Sequence, residues 1–465
     1  MSRPFTDEEE PTQVRALASN LEDRAPAFSD DALALRFSKR YADRLRYVAV
    51  WNKWLWWDDR RWVFEDTKLA FDYARVVCRE AAGERNNHKS GAAVASAKTV
   101  AAVERLASAD RCIAATIDQW DTDPWLLNTP DGVVDLRTGN MRAHSPLDYM
   151  TKMTAVAPRG DCPSFMAFLH RVMNGDQALV AYLRRVFGYA LTGVTNEHAL
   201  FFAYGTGANG KSVLMSTMAG IMGDYHRTAP IETFTATNVD RHPTDLAMLR
   251  GARLVTATET EDGRRWAESR IKTLTGGDPV SARFMRQDFF EYRPAFKLVI
   301  AGNHKPGLRS VDEAIRRRFH LIPFAVTIPA EERDPELAEK LKAEWPGILQ
   351  WMVEGCLEWR TERLQRPEAV AKATAAYLES EDAIAAWIDD RCERDPNAWE
   401  SSTALFASWN AWATAAGEFA GSSKRLGQAL ETRGFSPCRR HEGRGFTGLR
   451  INHDPLPQSH WTNAP

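Results

Sequence analysis

The chain has little cysteine, six residues in 465. They stand at 78, 112, 162, 356, 392 and 438, too scattered for a CxxC knuckle. That spacing suggests neither a disulfide framework nor a structural zinc, and reads as buried or incidental thiols. Long hydrophobic runs are missing as well. No apolar stretch approaches the roughly 18 residues that a membrane span needs. The first eleven residues are acidic and polar rather than signal-like, so a cytoplasmic location is expected. Net charge is nearly absent: 60 Lys and Arg against 62 Asp and Glu give −2. This balance neither favours nor excludes a polyanionic partner, because only the local field at a contact matters.

What is present suits a soluble folded protein, with 44% hydrophobic and 26% charged residues. The length exceeds one core and predicts about three folded units. Residues 1–35 read as a polar extension and 36–160 as an α+β region. That region opens with Trp51, Trp54, Trp56, Trp57 and Trp62, interrupted at Asp58-Asp59-Arg60-Arg61 as a hairpin turn would be. Such rings can stack on bases, but in a small unit they more often form the core. Residues 67–120 read as mostly helical, and Leu126 to Arg142 as a turn-punctuated β unit. A helical linker or collar is expected at 161–195. Over 196–330 apolar strands alternate with loops and helices, the pattern of an α/β core. A helical segment (331–379), a small last unit (380–453) and a tail (454–465) follow.

The most specific motif is Gly205-Thr206-Gly207-Ala208-Asn209-Gly210-Lys211-Ser212, a full match to G-x4-G-K-[ST]. An apolar strand, Leu200-Phe-Phe-Ala-Tyr204, enters it, and a helix-forming series from Val213 to Met222 leaves it. The glycines let backbone N–H groups turn toward phosphate oxygens, and the helix N-terminus adds its positive dipole end. Lys211 is expected to reach the β- and γ-phosphates of ATP, and Ser212 to ligate Mg2+.

Further strand ends follow. Arg253-Leu-Val-Thr-Ala-Thr258 runs into Glu259-Thr260-Glu261, whose carboxylates would share one face of a continuing strand. A carboxylate there can hold the metal and polarise the attacking water. Glu259 is assigned to Mg2+ beside Ser212, although either acid suits that side. The strand from Phe296 ends in Ala301-Gly302-Asn303-His304-Lys305-Pro306. The Asn303 amide can touch both γ-phosphate and water, or simply form a turn. Ala314-Ile315-Arg316-Arg317-Arg318 leads into a strand from Phe319 to Phe324. An arginine there can serve a neighbouring subunit's ATP, or be a solvated helix end.

In this order, with Thr275-Gly276-Gly277-Asp278 between the second and third motifs, the chain resembles the superfamily 3 helicases. Within them it is similar to the phage/plasmid primase-helicase family, which includes satellite-phage and poxvirus-type NTPases. The resemblance covers nearly the whole chain, including 47–63 and 127–142. It implies a hexameric ring moving on single-stranded DNA, usually 3′ to 5′, with ATP and Mg2+, in phage or plasmid replication in a bacterial host. It implies a channel hairpin, here Asp278 to Tyr292, with Arg283 and Arg286 on the DNA backbone and Gln287 where relatives often carry lysine. It also implies an arginine finger, with Arg318 preferred and Arg317 next. Many relatives carry a primase ahead of the motor. The residues before the motor here have no zinc knuckle and no evident catalytic acidic pair. The expectation is a helicase without primase activity, partnered, if at all, by a primase on a separate chain.

The last unit has Ile384, Trp387 and Ile388 at helical spacing, then Leu405, Phe406, Trp409 and Trp412, then Leu426, Leu430 and a segment from Gly434 to Ile451. Three helices and a hairpin predict a winged helix. Between Ser422 and His453 seven Lys and Arg (424, 425, 433, 439, 440, 444, 450) face two acids (431, 442). Lys424, Arg425, Arg439, Arg440 and Arg444 are the expected DNA contacts. The expected fold class is thus multidomain α/β: an α+β N-terminal region, a P-loop AAA+-like ATPase core, and a small winged-helix domain. The expected function is an ATP-dependent DNA helicase on single-stranded and forked DNA, acting as a homo-oligomer with no membrane partner. An alternative is a non-processive ATP switch that binds and melts origin DNA. A scaffold with a dead nucleotide site would leave Lys211, Ser212, Glu259, Asn303 and Arg318 without purpose.

Overall fold

The computed structural model describes residues 25–85, 88–236, 244–259, 264–285, 288–308, 311–418 and 420–452. Helix α1 (Asp30–Tyr41) starts at Ser29, whose hydroxyl accepts from the Ala32 amide as an N-cap should. A three-stranded antiparallel sheet follows: β1 (Leu45–Val48), β2 (Lys53–Trp57) and β3 (Trp62–Phe64). The turn between β2 and β3 is the expected one, with the Asp58 carboxylate accepting from the Arg60 and Arg61 amides at 2.9 and 2.7 Å. Helices α2 (Leu69–Gly83), α3 (His88–Val94) and α4 (Ala97–Ala107) complete this part. Three of its tryptophans are core: Trp54, Trp57 and Trp62 are buried, and Trp62 Nε1 donates to the Pro146 carbonyl at 2.9 Å, while Trp51 is half-buried and Trp56 exposed. Trp54 Nε1 likewise donates to Glu104 Oε1 at 2.7 Å, so the Trp54 and Trp62 rings leave water with their N–H groups satisfied.

Strands β4 (Leu126–Thr129), β5 (Gly132–Asp135) and β6 (Met141–Arg142) form a second antiparallel sheet, followed by α5 (Pro163–Val172) and α6 (Gln177–Ala190). One hydrophobic core joins Leu127 and Val134 to Phe165, Leu183, Phe201, Met218 and Trp351. Residues on both sides of position 160 therefore share an interior.

The central layer runs β7 (Leu200–Tyr204), α7 (Lys211–Met222), β8 (His226–Thr228), α8 (Thr244–Ala247), β9 (Leu254–Glu259), α9 (Glu268–Gly276), β10 (Val280–Ala282), β11 (Phe290–Tyr292), β12 (Lys297–Gly302), α10 (Glu313–Arg316) and β13 (Phe319–Pro323). Five of these strands form a parallel sheet in the order β13-β7-β12-β9-β8. A parallel sheet covered on both faces needs strands that are apolar throughout, which explains why β7 and β12 are buried along their length. The chain leaves β7 toward one edge and returns on its other side as β13. Ligand crevices form beyond the carboxyl ends of strands at such a switch point. Register makes three of those ends level: Gly302 pairs with Tyr204 on one side and with Glu259 on the other.

Helices α11 (Leu337–Ala343), α12 (Trp345–Glu362) and α13 (Glu368–Ser380) come next. Helix α12 crosses α6 backbone to backbone. A Cβ on Gly188 would stand 2.2 Å from the Cys356 amide nitrogen, and one on Gly355 2.2 Å from the Arg184 carbonyl oxygen. The final elements are α14 (Ala383–Arg391), β14 (Cys392–Glu393), β15 (Trp399–Ser401), α15 (Ser402–Ala415), α16 (Ser423–Thr432), β16 (Ser436–Arg440), β17 (Gly443–Thr447) and β18 (Arg450–Ile451). They close around Trp387, Leu405, Trp409, Leu426, Leu430 and Phe446, with an antiparallel sheet in the order β15-β17-β16. Among the described residues no helix is long and apolar enough to cross a membrane.

Candidate nucleotide site and nucleic-acid faces

The loop from Gly205 to Ser212 bridges β7 and α7. Gly207 and Gly210 take φ of 92° and 84°, the left-handed region that favours glycine. The loop is seated on its surroundings: a Cβ on Gly205 would meet the Phe324 carbonyl oxygen at 2.2 Å, and one on Gly210 would meet Val172 of α5 at 2.5 Å. Asn209 Nδ2 donates to that same Phe324 carbonyl (3.3 Å), and the Ile328 amide donates to the Ala208 carbonyl (2.8 Å). Thr206, Ala208 and Ser212 are exposed.

Lys211 is only 6% exposed. Its ammonium donates to the Gly205 carbonyl (2.7 Å), Asn209 Oδ1 (3.1 Å) and Asn303 Oδ1 (3.3 Å). All three acceptors are neutral, and burial lowers the lysine's pKa. A cation held by neutral oxygens beside a glycine cradle suits a phosphate anion, so the residues present fit a nucleoside triphosphate. Asn303 is exposed and directly follows β12, while Glu259 closes β9 in the same row. Glu261 lies outside the described residues.

The two arginines stand at the opposite end of the strands, just before β13. The Leu200 amide donates to the Arg318 carbonyl at 2.8 Å, so both residues stand where β7 begins. A five-residue strand separates them from the loop by about 16 Å, which keeps them from their own phosphate site. The expectation preferred Arg318 as the outward-reaching member, and the structure turns it inward. Arg318 is 6% exposed, with Nε donating to Thr275 Oγ1 (3.1 Å) and Nη1 to the Ala314 carbonyl (2.8 Å). Burial lowers its pKa, and Arg317 beside it lowers it further. Arg317 is exposed, and its carbonyl accepts from Arg366.

Strands β10 and β11 form the expected antiparallel hairpin. It is fastened to α8 by Tyr292 Oη donating to the Leu246 carbonyl (2.6 Å) and Thr244 Oγ1 donating to the Arg283 carbonyl (3.3 Å). Arg283 is half-buried, with its guanidinium 4.7 Å from the Phe289 ring centre. Arg286 and Gln287 lie outside the described residues. The expectation for this hairpin rests on Arg283, Arg286 and Gln287 and does not include the exposed Phe284, Met285 and Phe289. The signal was available: Phe284-Met285 and Phe289-Phe290 flank a turn, where polar residues are the rule.

In the last unit, α16 and the β16–β17 hairpin enclose a cleft of about 740 Å³ whose lining includes Lys424, Arg439 and Arg444. Arg439 sits directly opposite Arg444 in the hairpin. Arg440 lies over the Trp399 ring at 5.4 Å. Arg425 is not with them. It is half-buried and lines a separate cavity of about 450 Å³ shared with Leu308, Asp312 and Glu381, facing the central layer. The positive excess is also smaller than the sequence count. Arg433 pairs with Asp382 and Arg450 with Glu393 (2.6 Å for the latter), and both acids lie outside the counted stretch.

Residues 34–174 match the family described as D5 N terminal like, and residues 203–318 match a family of unknown function (DUF5906). Similar curated proteins include "Putative helicase L207/L206" of Acanthamoeba polyphaga mimivirus, 25% identical over 303 residues, 60% of this chain and 31% of that protein. "Putative helicase 022R" of Frog virus 3 (isolate Goorha) is 23% identical over 280 residues, 55% of this chain and 28% of that protein. "Putative primase C962R" of African swine fever virus (isolate Warthog/Namibia/Wart80/1980) is 22% identical over 312 residues, 61% and 32% of the two chains. The chain thus spans less than a third of each of these relatives. The apo structure of NrS-1 C terminal region shares the fold, with a TM-score of 0.51 at 10% identity, covering 88% of this chain and 96% of that one.

The class is therefore a multidomain α/β protein built on a five-stranded parallel sheet, with the glycine-rich loop 205–212 at its switch point. The two matched stretches, with viral relatives named putative helicase and putative primase, fit a D5-like primase-helicase family with a helicase part of the superfamily 3 type.

Proposed function

We propose that this chain is an ATP-driven helicase motor of a DNA replication system, moving on single-stranded DNA as a ring, with a hexamer as the expected size. The observation that carries the reading is the row of strand ends Tyr204, Gly302 and Glu259, with the Lys211 ammonium bonded to Asn303 across it. The helicase and primase names of the viral relatives support it. The strand order suits an AAA+-like core spanning 196–330.

The backbone of 205–210 and Lys211 would hold the phosphates of ATP. Ser212 with Glu259 or Glu261 would hold Mg2+. Bound there, the nucleotide supplies the bond whose cleavage drives motion, and the metal offsets phosphate charge. Lys211 binds and neutralises. Asn303 orients the attacking water by hydrogen bonding, and whichever of Glu259 and Glu261 does not hold the metal accepts that water's proton. Arg317, exposed and far from its own loop, reaches the site of the next subunit, so hydrolysis needs the oligomer. The element order of the last unit suits a winged helix over 380–453, with Lys424, Arg439 and Arg444 meeting DNA phosphates.

A strand-displacement assay on forked DNA tests the motor. The expected result is release of the labelled strand that requires ATP and stops with Lys211→Ala. DNA-stimulated hydrolysis without strand release would replace this reading with a non-processive ATP switch that melts origin DNA.

A further inference from the structure

The β10–β11 hairpin exposes more apolar surface than a solvated turn requires. Phe284 is 38% exposed, Met285 68% and Phe289 60%, all on the connection between its two short strands. Such a hairpin is marginal on its own, yet this one is tied to α8 through Tyr292 and Thr244. The rings are ordered among themselves. Phe284 stacks on Phe290 with centres 5.7 Å apart at 28°, and the guanidiniums of Arg283 and Arg250 lie over Phe289 and Phe290 at 4.7 and 5.1 Å. Among the described residues the buried Arg283 Nε has no hydrogen-bond partner.

Charge does not explain the element. Between Asp278 and Arg293, Arg283, Arg286 and Arg293 are balanced by Asp278, Asp288 and Glu291, so the segment is neutral overall. A strip that worked by gripping phosphates would need an excess of cations. Aromatic rings carrying guanidiniums provide another chemistry. Every base offers a π-face, so stacking is tolerant of sequence, and arginine adds a cation–π component.

We infer that Phe284 and Phe289 stack on unpaired bases of a single DNA strand, with Arg283 over Phe289 adding a cation–π component. This rests on the motor reading and sharpens it: the hairpin's grip is on bases more than on charge. The contact should therefore depend on the presence of bases and hardly on salt.

The test measures binding of an oligothymidine strand and of an abasic strand of equal length, over a range of salt, for the full chain, Phe284→Ala/Phe289→Ala and Phe289→Trp. The wild type should prefer the strand with bases. The double alanine variant should lose about 5-fold or more of that affinity per ring, with the abasic affinity and the salt slope unchanged. Phe289→Trp, which keeps a ring, should retain the preference. Circular dichroism checks that each variant is folded. The inference is overturned if the double variant binds the base-bearing strand as tightly as wild type, or weakens equally on the abasic strand. It is also overturned if the substitutions break the oligomer while leaving base preference intact, since the rings would then be subunit contacts. Failure of the wild type to bind single-stranded DNA at all would instead remove the motor reading.

Discussion

The Lys211 ammonium donates to Asn303 Oδ1 across 3.3 Å, although 92 positions separate the two residues. The sheet makes this possible, because β7 and β12 are neighbours in register and both chains turn out at the same level. Lys211→Ala should abolish ATP hydrolysis. Asn303→Ala should slow it by about 10²- to 10³-fold, the scale for losing one preorganised donor, while titration with a fluorescent nucleotide shows near-normal binding. Normal turnover in Asn303→Ala would remove this residue from the chemistry.

The neighbouring arginines should separate by phenotype. Arg317→Ala should cut hydrolysis by about 10³- to 10⁵-fold, as loss of a finger does, with little change in melting temperature. Arg318→Ala should instead destabilise the fold by about 1–3 kcal/mol, because it leaves a partner at the buried Thr275 and another at the half-buried Ala314. Mixing Arg317→Ala with Lys211→Ala chains should recover partial hydrolysis at interfaces that join an intact loop to an intact finger. Mixtures as inactive as their parents would argue against action across subunits.

His320 makes stability depend on pH. It is buried, and burial followed by the nearby Arg366 charge holds its pKa well below the usual value. Arg366 Nε donates to His320 Nε2 at 3.0 Å, so the ring proton sits on Nδ1 toward Tyr182 Oη. A second proton would face the guanidinium. The unfolded chain takes that proton near pH 6.5 and the folded chain does not. Stability should therefore fall as pH drops below about 6.5, by up to about 1.4 kcal/mol per pH unit. His226, pushed down to about 4 by burial, acts in the same direction. Denaturant titrations between pH 7.5 and 4.5 check this, and His320→Gln should flatten the slope. An unchanged slope in that variant would assign the pH dependence elsewhere.

Arg439 and Arg444 face each other across the β16–β17 hairpin. Like charges placed directly opposite weaken a hairpin unless an anion lies between them. Replacing both with alanine should weaken duplex DNA binding and reduce the log–log salt slope by about 1.8, the value for two phosphate contacts. The melting temperature at low salt, without DNA, should hold or rise. An unchanged slope would take these residues off the DNA.

The chain's local patterns determined much of this protein. The glycine-rich loop is a run of eight adjacent residues, and the apolar run before it and the helix-forming run after it marked the strand and helix that flank it. Apolar runs marked the buried parallel strands, and a four-residue turn marked the β2–β3 hairpin. Tertiary structure decided where side chains point and what distant segments bring to them. Arg317 and Arg318 are adjacent and chemically identical, yet packing against α9 buries one and leaves the other in solvent. Arg425 turned toward the central layer, and Asp382 and Glu393 came from outside the basic stretch to neutralise two of its members. Burial and ion pairing depend on neighbours far along the chain, which residue spacing does not encode. For the same reason Lys211 and Asn303 could be named separately from sequence, while their contact required the register of the sheet.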